Sequence, residues 1–182
     1  MLVLGFLAIV AIYLHSQSTT DNLTRLKNRR SMHRRFRSGI NAHYTLLYLD
    51  LNRFKFINDT YGHEIGDQVL KAVARQIELY WKGNSYRIGG DEFILIGQPE
   101  EVTLNALIDK LSSLHFVSED HQVSLDVSVA IGISCPRDRF MTLQEVLNEA
   151  DQAMYDHKRE KHRCIISRQS CLLYTSPSPR DH

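Results

Sequence analysis

Three carboxylates stand where apolar stretches end. Asp50 closes the run YTLLYLDL at residues 44–51, and Asp91-Glu92 follow Gly89-Gly90 between two short stretches, 86–88 and 93–96. A carboxylate at the mouth of an apolar strand costs free energy unless something neutralises it. A hard divalent cation, Mg²⁺ (or Mn²⁺), does so with a few carboxylates, while phosphate oxygens and water complete its shell. Glycines beside carboxylates also let backbone approach a phosphate closely. The pattern therefore points to metal-dependent phosphoryl chemistry. The plain alternative is that Asp91-Glu92 decorate a polar hairpin turn. The first reading requires Asp50 to lie beside the 89–92 turn.

The elements that must hold these residues follow from periodicity. Residues 44–51 read as a buried strand that delivers Asp50 to its carboxyl end. Thr20-Asp21-Asn22 offers N-cap chemistry, and an arginine-rich helix is predicted over 29–41. Residues 55–61 read as a short helix ended by Gly62. Gly66-Asp67 then caps a long helix with Val69, Leu70, Val73 and Ile77 at helical spacing. Stretches 86–88 and 93–96 form a hairpin around Gly89-Gly90, whose turn is expected to use paired positive φ angles. Helix 102–114, strand 123–133, helix 143–161 and an edge strand at Ile165-Ile166 complete an order α-β-α-β-β-α-β-α-β. This is an α+β fold, a mostly antiparallel central sheet covered by helices.

The 182 residues suit one compact domain with short appendages. Twenty-two Lys+Arg against 21 Asp+Glu leave a net charge of +1, too balanced for a dedicated nucleic-acid binder. Three cysteines, Cys135, Cys164 and Cys171, show no CxxC spacing, so neither a disulfide framework nor a zinc site is indicated, and a reducing compartment is expected.

Both ends stand apart. Residues 2–14, LVLGFLAIVAIYL, are almost unbroken apolar sequence. As a helix they cover about 20 Å, against a hydrocarbon core of about 30 Å. No charged region precedes them and no A-x-A pattern follows, so a signal peptide fits less well than the trailing part of a transmembrane helix from a longer chain. Arg25, Lys27, Arg29, Arg30, Arg34, Arg35 and Arg37 follow, as on a cytoplasmic flank or simply a solvated helix face. The expected division is a partial membrane helix at 1–15, a linker and entry motif at 16–28, a folded domain at 21–168, and a disordered or non-native tail at 169–182.

Several motifs, in order, resemble the GGDEF family of diguanylate cyclases. Arg87-Ile88-Gly89-Gly90-Asp91-Glu92-Phe93 resembles its signature. The stretch DNLTRLKNRR at 21–30 resembles the entry motif D-x-L-T-x-L-x-N-R-R. The stretch DLNRFKFIND at 50–59, with Tyr61-Gly62-His63 and Gly66-Asp67, resembles D-x-D-x-F-K-x-I-N-D…Y-G-H-x-x-G-D. Val129-Ala130-Ile131-Gly132-Ile133 resembles a late family strand, and Ala150-Asp151-Gln152-Ala153-Met154-Tyr155 with Lys158 its last helix. The resemblance covers about 21–166.

It implies a palm-like nucleotidyl-cyclase fold and a reaction of two GTP to cyclic di-GMP plus two pyrophosphates. Asp50, Asp91, Glu92 and the Leu51 carbonyl are then the metal ligands, with Asp91 also the general base. Asn58 and Asp67 read guanine, His63 helps hold the substrate, and Gly89 and Gly90 give the nucleotide room. Lys55 and Lys158 bring positive charge to the triphosphate, Lys55 as a transition-state stabiliser. Phe54, His162 and Arg163 are weaker candidates. One domain holds one GTP, so turnover requires a homodimer. The expected location is the inner membrane of a bacterium with the domain in the cytoplasm, and no nucleic-acid partner is implied.

Four departures from the pattern matter. Asn52 replaces the second aspartate of D-x-D, and Arg25 replaces a glycine of the entry motif. Lys161-His162 stand where the last helix usually gives Gly-Arg, which touches GTP affinity because histidine does not mimic a bidentate arginine. Tyr80-Trp81-Lys82-Gly83 occupy the place of the product-inhibition motif R-x-x-D, so no feedback through that site is expected. A catalytically silent GTP-binding regulatory module is the alternative to an active cyclase.

Overall fold

The structure, a computed structural model, describes Gly5 and residues 19–136 and 141–159, with side chains to residue 156 in the last helix. In chain order the elements are β1 (Lys27–Asn28), α1 (Arg29–Arg35), β2 (Thr45–Leu51), α2 (Phe54–Tyr61), α3 (His63–Tyr80), β3 (Asn84–Arg87) and β4 (Glu92–Gly97). They continue with α4 (Glu101–Ser112), β5 (Leu114–Val117), β6 (Ser124–Val127), β7 (Val129–Ser134) and α5 (Leu143–Arg159). A five-stranded sheet runs β1-β3-β4-β2-β7, and β5-β6 form a separate ribbon. The sheet is mixed: β1 pairs with β3 in parallel, and every other neighbour is antiparallel.

Alternation along β2 explains the layering. Leu47, Leu49 and Leu51 point into one apolar cluster with α3 and α4, while Leu46 and Tyr48 point to the other, with α1 and α5. The central strands are thus covered on both faces, which is why β2 and β4 read as continuous apolar runs rather than alternating ones. Phe93, Leu95 and Ile94 are fully buried. At Gly132 of β7 helix α5 packs directly on the strand: a Cβ there would collide with the Ala150 carbonyl and lie 2.5 Å from the Met154 nitrogen.

Several expected boundaries move, each for a local reason. Helix α1 stops at Arg35 rather than 41, because Phe36 caps it and Gly39 turns the chain at φ 98°. Asn28, not the 20–22 stretch, caps α1, its Oδ1 accepting from the Ser31 N–H at 3.0 Å. Helix α3 begins at His63 because Gly62, at φ 87°, ends α2 and starts α3 within one residue. The expected strand 123–133 is two strands in different sheets, broken at Ser128. Strands β1 and β5 lacked a readable pattern, being two and four residues long. Neither Gly89 nor Gly90 has a positive φ, so the hairpin turn does not need glycine for that reason.

The apolar run at 1–15 (apart from Gly5), the edge strand at 165–166 and the tail lie outside the described residues. Among the described residues, no helix is long and apolar enough to cross a membrane.

Candidate active site

Strand β2 hands its carboxylate to β4. Asp50 and Glu92 are direct partners across the β2–β4 ladder, so their side chains share a face with Cβ atoms about 5 Å apart. Immediately beyond, the Leu51 N–H donates to the Asp91 carbonyl at 3.2 Å. Residues some forty positions apart in sequence therefore meet at one sheet end, as the metal reading requires. Asp50, Asp91 and Glu92 are half-buried, and Leu51 is buried.

Tyr48, two residues before Asp50, lies on the same face. Its hydroxyl donates to Glu92 Oε1 at 2.6 Å. Burial pushes this phenol well above its ordinary range, and the hydrogen bond to Glu92 pushes the same way. The hydroxyl thus stays a donor and fixes one carboxylate oxygen.

Arg87 locks the hairpin. Its Nε and Nη2 donate to the Gly90 carbonyl at 3.2 and 2.8 Å, and its Nη1 reaches both oxygens of Asp21 at 3.2 and 3.0 Å. Arg29, at the start of α1, adds an Nε donation to the Ile88 carbonyl at 2.9 Å. Inside this clamp the two glycines differ. A Cβ on Gly89 would collide with the Glu92 carboxylate, whereas Gly90 faces open space. Gly89 therefore makes room for Glu92, and Gly90 leaves the approach to the turn bare.

On the other side of the sheet end, Asn58 on α2 meets Gly66 on α3 so closely that a Cβ on Gly66 would overlap the amide. Asp67, the next residue, is exposed beside it. Asn58 Oδ1 is buried and lacks a hydrogen-bond partner. Phe54 is half-buried against the core and backs the same contact from below. His63 is exposed at the start of α3. No contact described brings Lys55 to the carboxylates: its side chain is 90% exposed and its ammonium pairs with Asp59 at 3.4 Å. The Lys158 side chain, His162 and Arg163 lie outside the described residues.

The departures acquire physical meaning. Asn52 donates from Nδ2 to Ser128 Oγ at 3.0 Å, and its N–H bonds the Ser128 carbonyl at 2.9 Å. It ties the β2–α2 turn to the β6–β7 break. Arg25 sits at φ 66°, a left-handed conformation that glycine adopts without strain. In the 80–83 stretch, Trp81 is buried at 5% exposure and donates from Nε1 to the Asn84 carbonyl at 3.3 Å. An indole fills that place, packed against Gly83 and Gly97.

Tyr48, Arg29 and Asp21 were not singled out by sequence reasoning as site residues. The period of two from Asp50 could have found Tyr48; Arg29 and Asp21 act across the fold and leave no local signal. Among the described residues no three His, Cys, Asp or Glu side chains converge on one point. A divalent ion here would rest on two carboxylates, a backbone oxygen and substrate oxygens, a donor set that suits Mg²⁺.

With this geometry in view, the comparisons are specific. The family model described as "Diguanylate cyclase, GGDEF domain" matches residues 18–164. The chain is 37% identical over 159 residues to the signaling protein YkoW of Bacillus subtilis, covering 80% of this chain and 20% of that protein. It is 31% identical over 156 residues to the probable diguanylate cyclase DgcC of Escherichia coli, covering 80% of this chain and 42% of that one. The chain thus spans less than half the length of these two relatives. The crystal structure of the GGDEF domain of DgcB from Caulobacter crescentus, in complex with c-di-GMP, superposes with a TM-score of 0.67 at 30% identity, covering 79% of this chain and 91% of that one. A family match across most of the length, a shared fold and a signature hairpin held against Asp50 lead to one conclusion: the chain belongs to the GGDEF, or diguanylate cyclase, family.

Proposed function

We propose that this domain condenses two molecules of GTP into cyclic di-GMP, releasing two pyrophosphates, in a homodimer that brings two nucleotide sites face to face. The observation that carries the reading is the pairing of Asp50 with Glu92, with Asp91 joined to Leu51 by a backbone hydrogen bond. A bound Mg²⁺ would neutralise triphosphate charge and polarise the α-phosphate, held by two carboxylates drawn from Asp50, Asp91 and Glu92 together with the Leu51 carbonyl.

The chain's own groups supply the rest. Helix α2 begins three residues after Leu51, with no side-chain cap and no acid in its first turn. Its leading N–H groups suit an anionic phosphate. Asn58 presents a buried acceptor without a donor, and a guanine edge carries N–H donors that would satisfy it, with Asp67 alongside. Bare Gly90 leaves space for the partner nucleotide. The 3′-hydroxyl of one GTP gives its proton to Asp91 and its oxygen bonds the α-phosphorus of the other; the bond to pyrophosphate breaks in line. The second linkage forms by the same exchange with the roles reversed. His63 and Lys158 would complete the grip on the triphosphate, and the apolar run at 1–15 would tether the domain to a membrane. With Trp81 where R-x-x-D would stand, product feedback through that place is absent.

One observation favours the silent GTP-binding alternative: Lys55 lies 90% exposed and its ammonium pairs with Asp59 at 3.4 Å. Incubation with GTP and Mg²⁺, followed by chromatography, separates the readings. Cyclic di-GMP should form, and Asp91→Ala should abolish it while GTP binding persists. GTP binding without product in the unaltered chain would establish the silent module instead.

A further inference from the structure

A cavity of about 470 Å³ opens between α1 and the β1–β3 edge of the sheet, lined by Lys27, Ser31, Arg34, Arg35, Tyr86 and two threonines. Three of its lining side chains are cations and none is an acid. Among the described residues none of the three cations forms an ion pair, and the Lys27 ammonium donates to a neutral side-chain oxygen, Asn84 Oδ1, at 2.7 Å. None of the residues proposed to bind GTP or metal lines it.

Tyr86 makes the cavity more than a charged surface. Its side chain is 0% exposed, yet its hydroxyl has no hydrogen-bond partner. Lys27 stands over its ring, Nζ 5.9 Å from the centroid. Burial pushes the phenol up to about 12, and the charge of Arg35 pulls it the other way. Arg34 and Arg35 occupy the last turn of α1, where helix carbonyls favour cations.

A buried hydroxyl without an acceptor is a free-energy cost, and three cations facing one cavity repel one another. An anion with several acceptor oxygens removes the repulsion, and a small shift of the Tyr86 ring, which lines the cavity, lets its hydroxyl donate as well. We propose that this cavity binds a phosphoryl group, of phosphate monoester or diester chemistry, through Lys27, Arg34, Arg35 and the Tyr86 hydroxyl. Guanidinium groups favour such tetrahedral, multi-oxygen anions because they donate in parallel pairs. The volume exceeds that of a bare phosphate, which leaves room for the group that carries it. The source is either a soluble phosphorylated molecule or a lipid headgroup. The proposal stands independently of GTP turnover.

The test titrates the full chain calorimetrically with inorganic phosphate, without divalent cations, and in parallel sediments it with phosphatidylglycerol or phosphatidylcholine vesicles. Binding to phosphate, to phosphatidylglycerol over phosphatidylcholine, or to both is expected. It should weaken at least roughly tenfold in an Arg34→Gln/Arg35→Gln double variant. Tyr86→Phe should weaken it by a smaller factor, and Asp91→Asn should leave it unchanged. Phosphate binding without vesicle preference identifies a soluble ligand; vesicle preference that free phosphate competes away identifies a headgroup. Undiminished binding in the double arginine variant overturns the proposal, as does binding to neither probe. Loss of phosphate binding in Asp91→Asn overturns it too, because the ion would then belong to the carboxylate cluster.

Discussion

Arg87 grips Asp21 across 66 positions of sequence, one Nη within 3.2 Å of both carboxylate oxygens, while the rest of its guanidinium holds the Gly90 carbonyl. The entry segment and the signature hairpin are thereby one mechanical unit. The side chains are only 14% and 23% exposed, so removing either partner strands a charge in a poorly solvated place. Asp21→Ala and Arg87→Ala should each destabilise, and a double-mutant cycle should return a coupling of about 1–3 kcal/mol. Burial alone raises the Asp21 carboxyl, but hydrogen bonds from Thr24 and Arg87 outweigh it and hold the group below its ordinary range. A depressed carboxyl contributes stability above its unfolded pKa and loses it as pH falls through the folded one. The wild type should therefore lose stability below about pH 4 more steeply than Asp21→Asn. Additive single variants with parallel acid curves would show that the pair does not couple.

Tyr48 and Tyr86 should make the protein sensitive to alkali. Burial raises both phenols, the first beyond the ordinary range with help from Glu92 and the second to about 12. A group whose folded pKa is raised contributes stability fully below its unfolded pKa, about 10 for tyrosine. That contribution is lost as pH rises towards the folded values. In a spectrophotometric titration Tyr48 and Tyr86 should ionise late, together with unfolding. Tyr48→Phe and Tyr86→Phe should each remove one late phenol. Tyr48→Phe should also lower product formation by releasing Glu92, whereas Tyr86→Phe should not. Eight phenols titrating together near pH 10 would contradict the burial of both.

The carboxylate pairing was legible because β2 and β4 are predominantly apolar strands whose ends can be read to within a residue, and Asp50 and Asp91-Glu92 mark those ends. The two-face layering followed from the same strands. What was not legible depended on contacts between distant segments. Asp21 looks like a capping residue until Arg87 is placed beside it. The strand expected over 123–133 looks continuous until Ser128 is seen bonded to Asn52. The glycines of the signature were read through backbone freedom, and the structure instead gives Gly89 a steric reason, its closeness to the Glu92 side chain. Side-chain proximity of that kind leaves no periodic trace. Lys55 was singled out by motif position alone, and the ion pair it makes is a local one with Asp59, one turn along its own helix.

Arg25 offers a substitution that should stabilise. Its φ of 66° costs a non-glycine residue about 1–2 kcal/mol, whereas a glycine there would loosen the unfolded chain by about 0.5–1 kcal/mol. The strain is the larger of the two, so Arg25→Gly should raise the midpoint of thermal unfolding modestly. Arg25→Ala should leave it nearly unchanged, since alanine keeps the same backbone strain. Equal shifts for glycine and alanine would trace the effect to the lost side chain instead.

Gly66 is the position that most directly tests how Asn58 is used. Replacing a glycine within a helix with alanine favours helix formation by about 1 kcal/mol, but here the added methyl would overlap the Asn58 amide. The amide is the far end of a side chain, so it can swing away at little cost to the fold. Gly66→Ala should accordingly unfold at nearly the wild-type temperature while its KM for GTP rises roughly tenfold, with kcat much less affected. Discrimination between GTP and ATP should fall in parallel, because the acceptor that meets the guanine edge has moved. Asn58→Ala should show the same KM-dominated loss, and combining the two should add little, since both remove one contact. If Gly66→Ala keeps full GTP affinity and base discrimination, Asn58 does not read the base, and its buried oxygen needs another explanation.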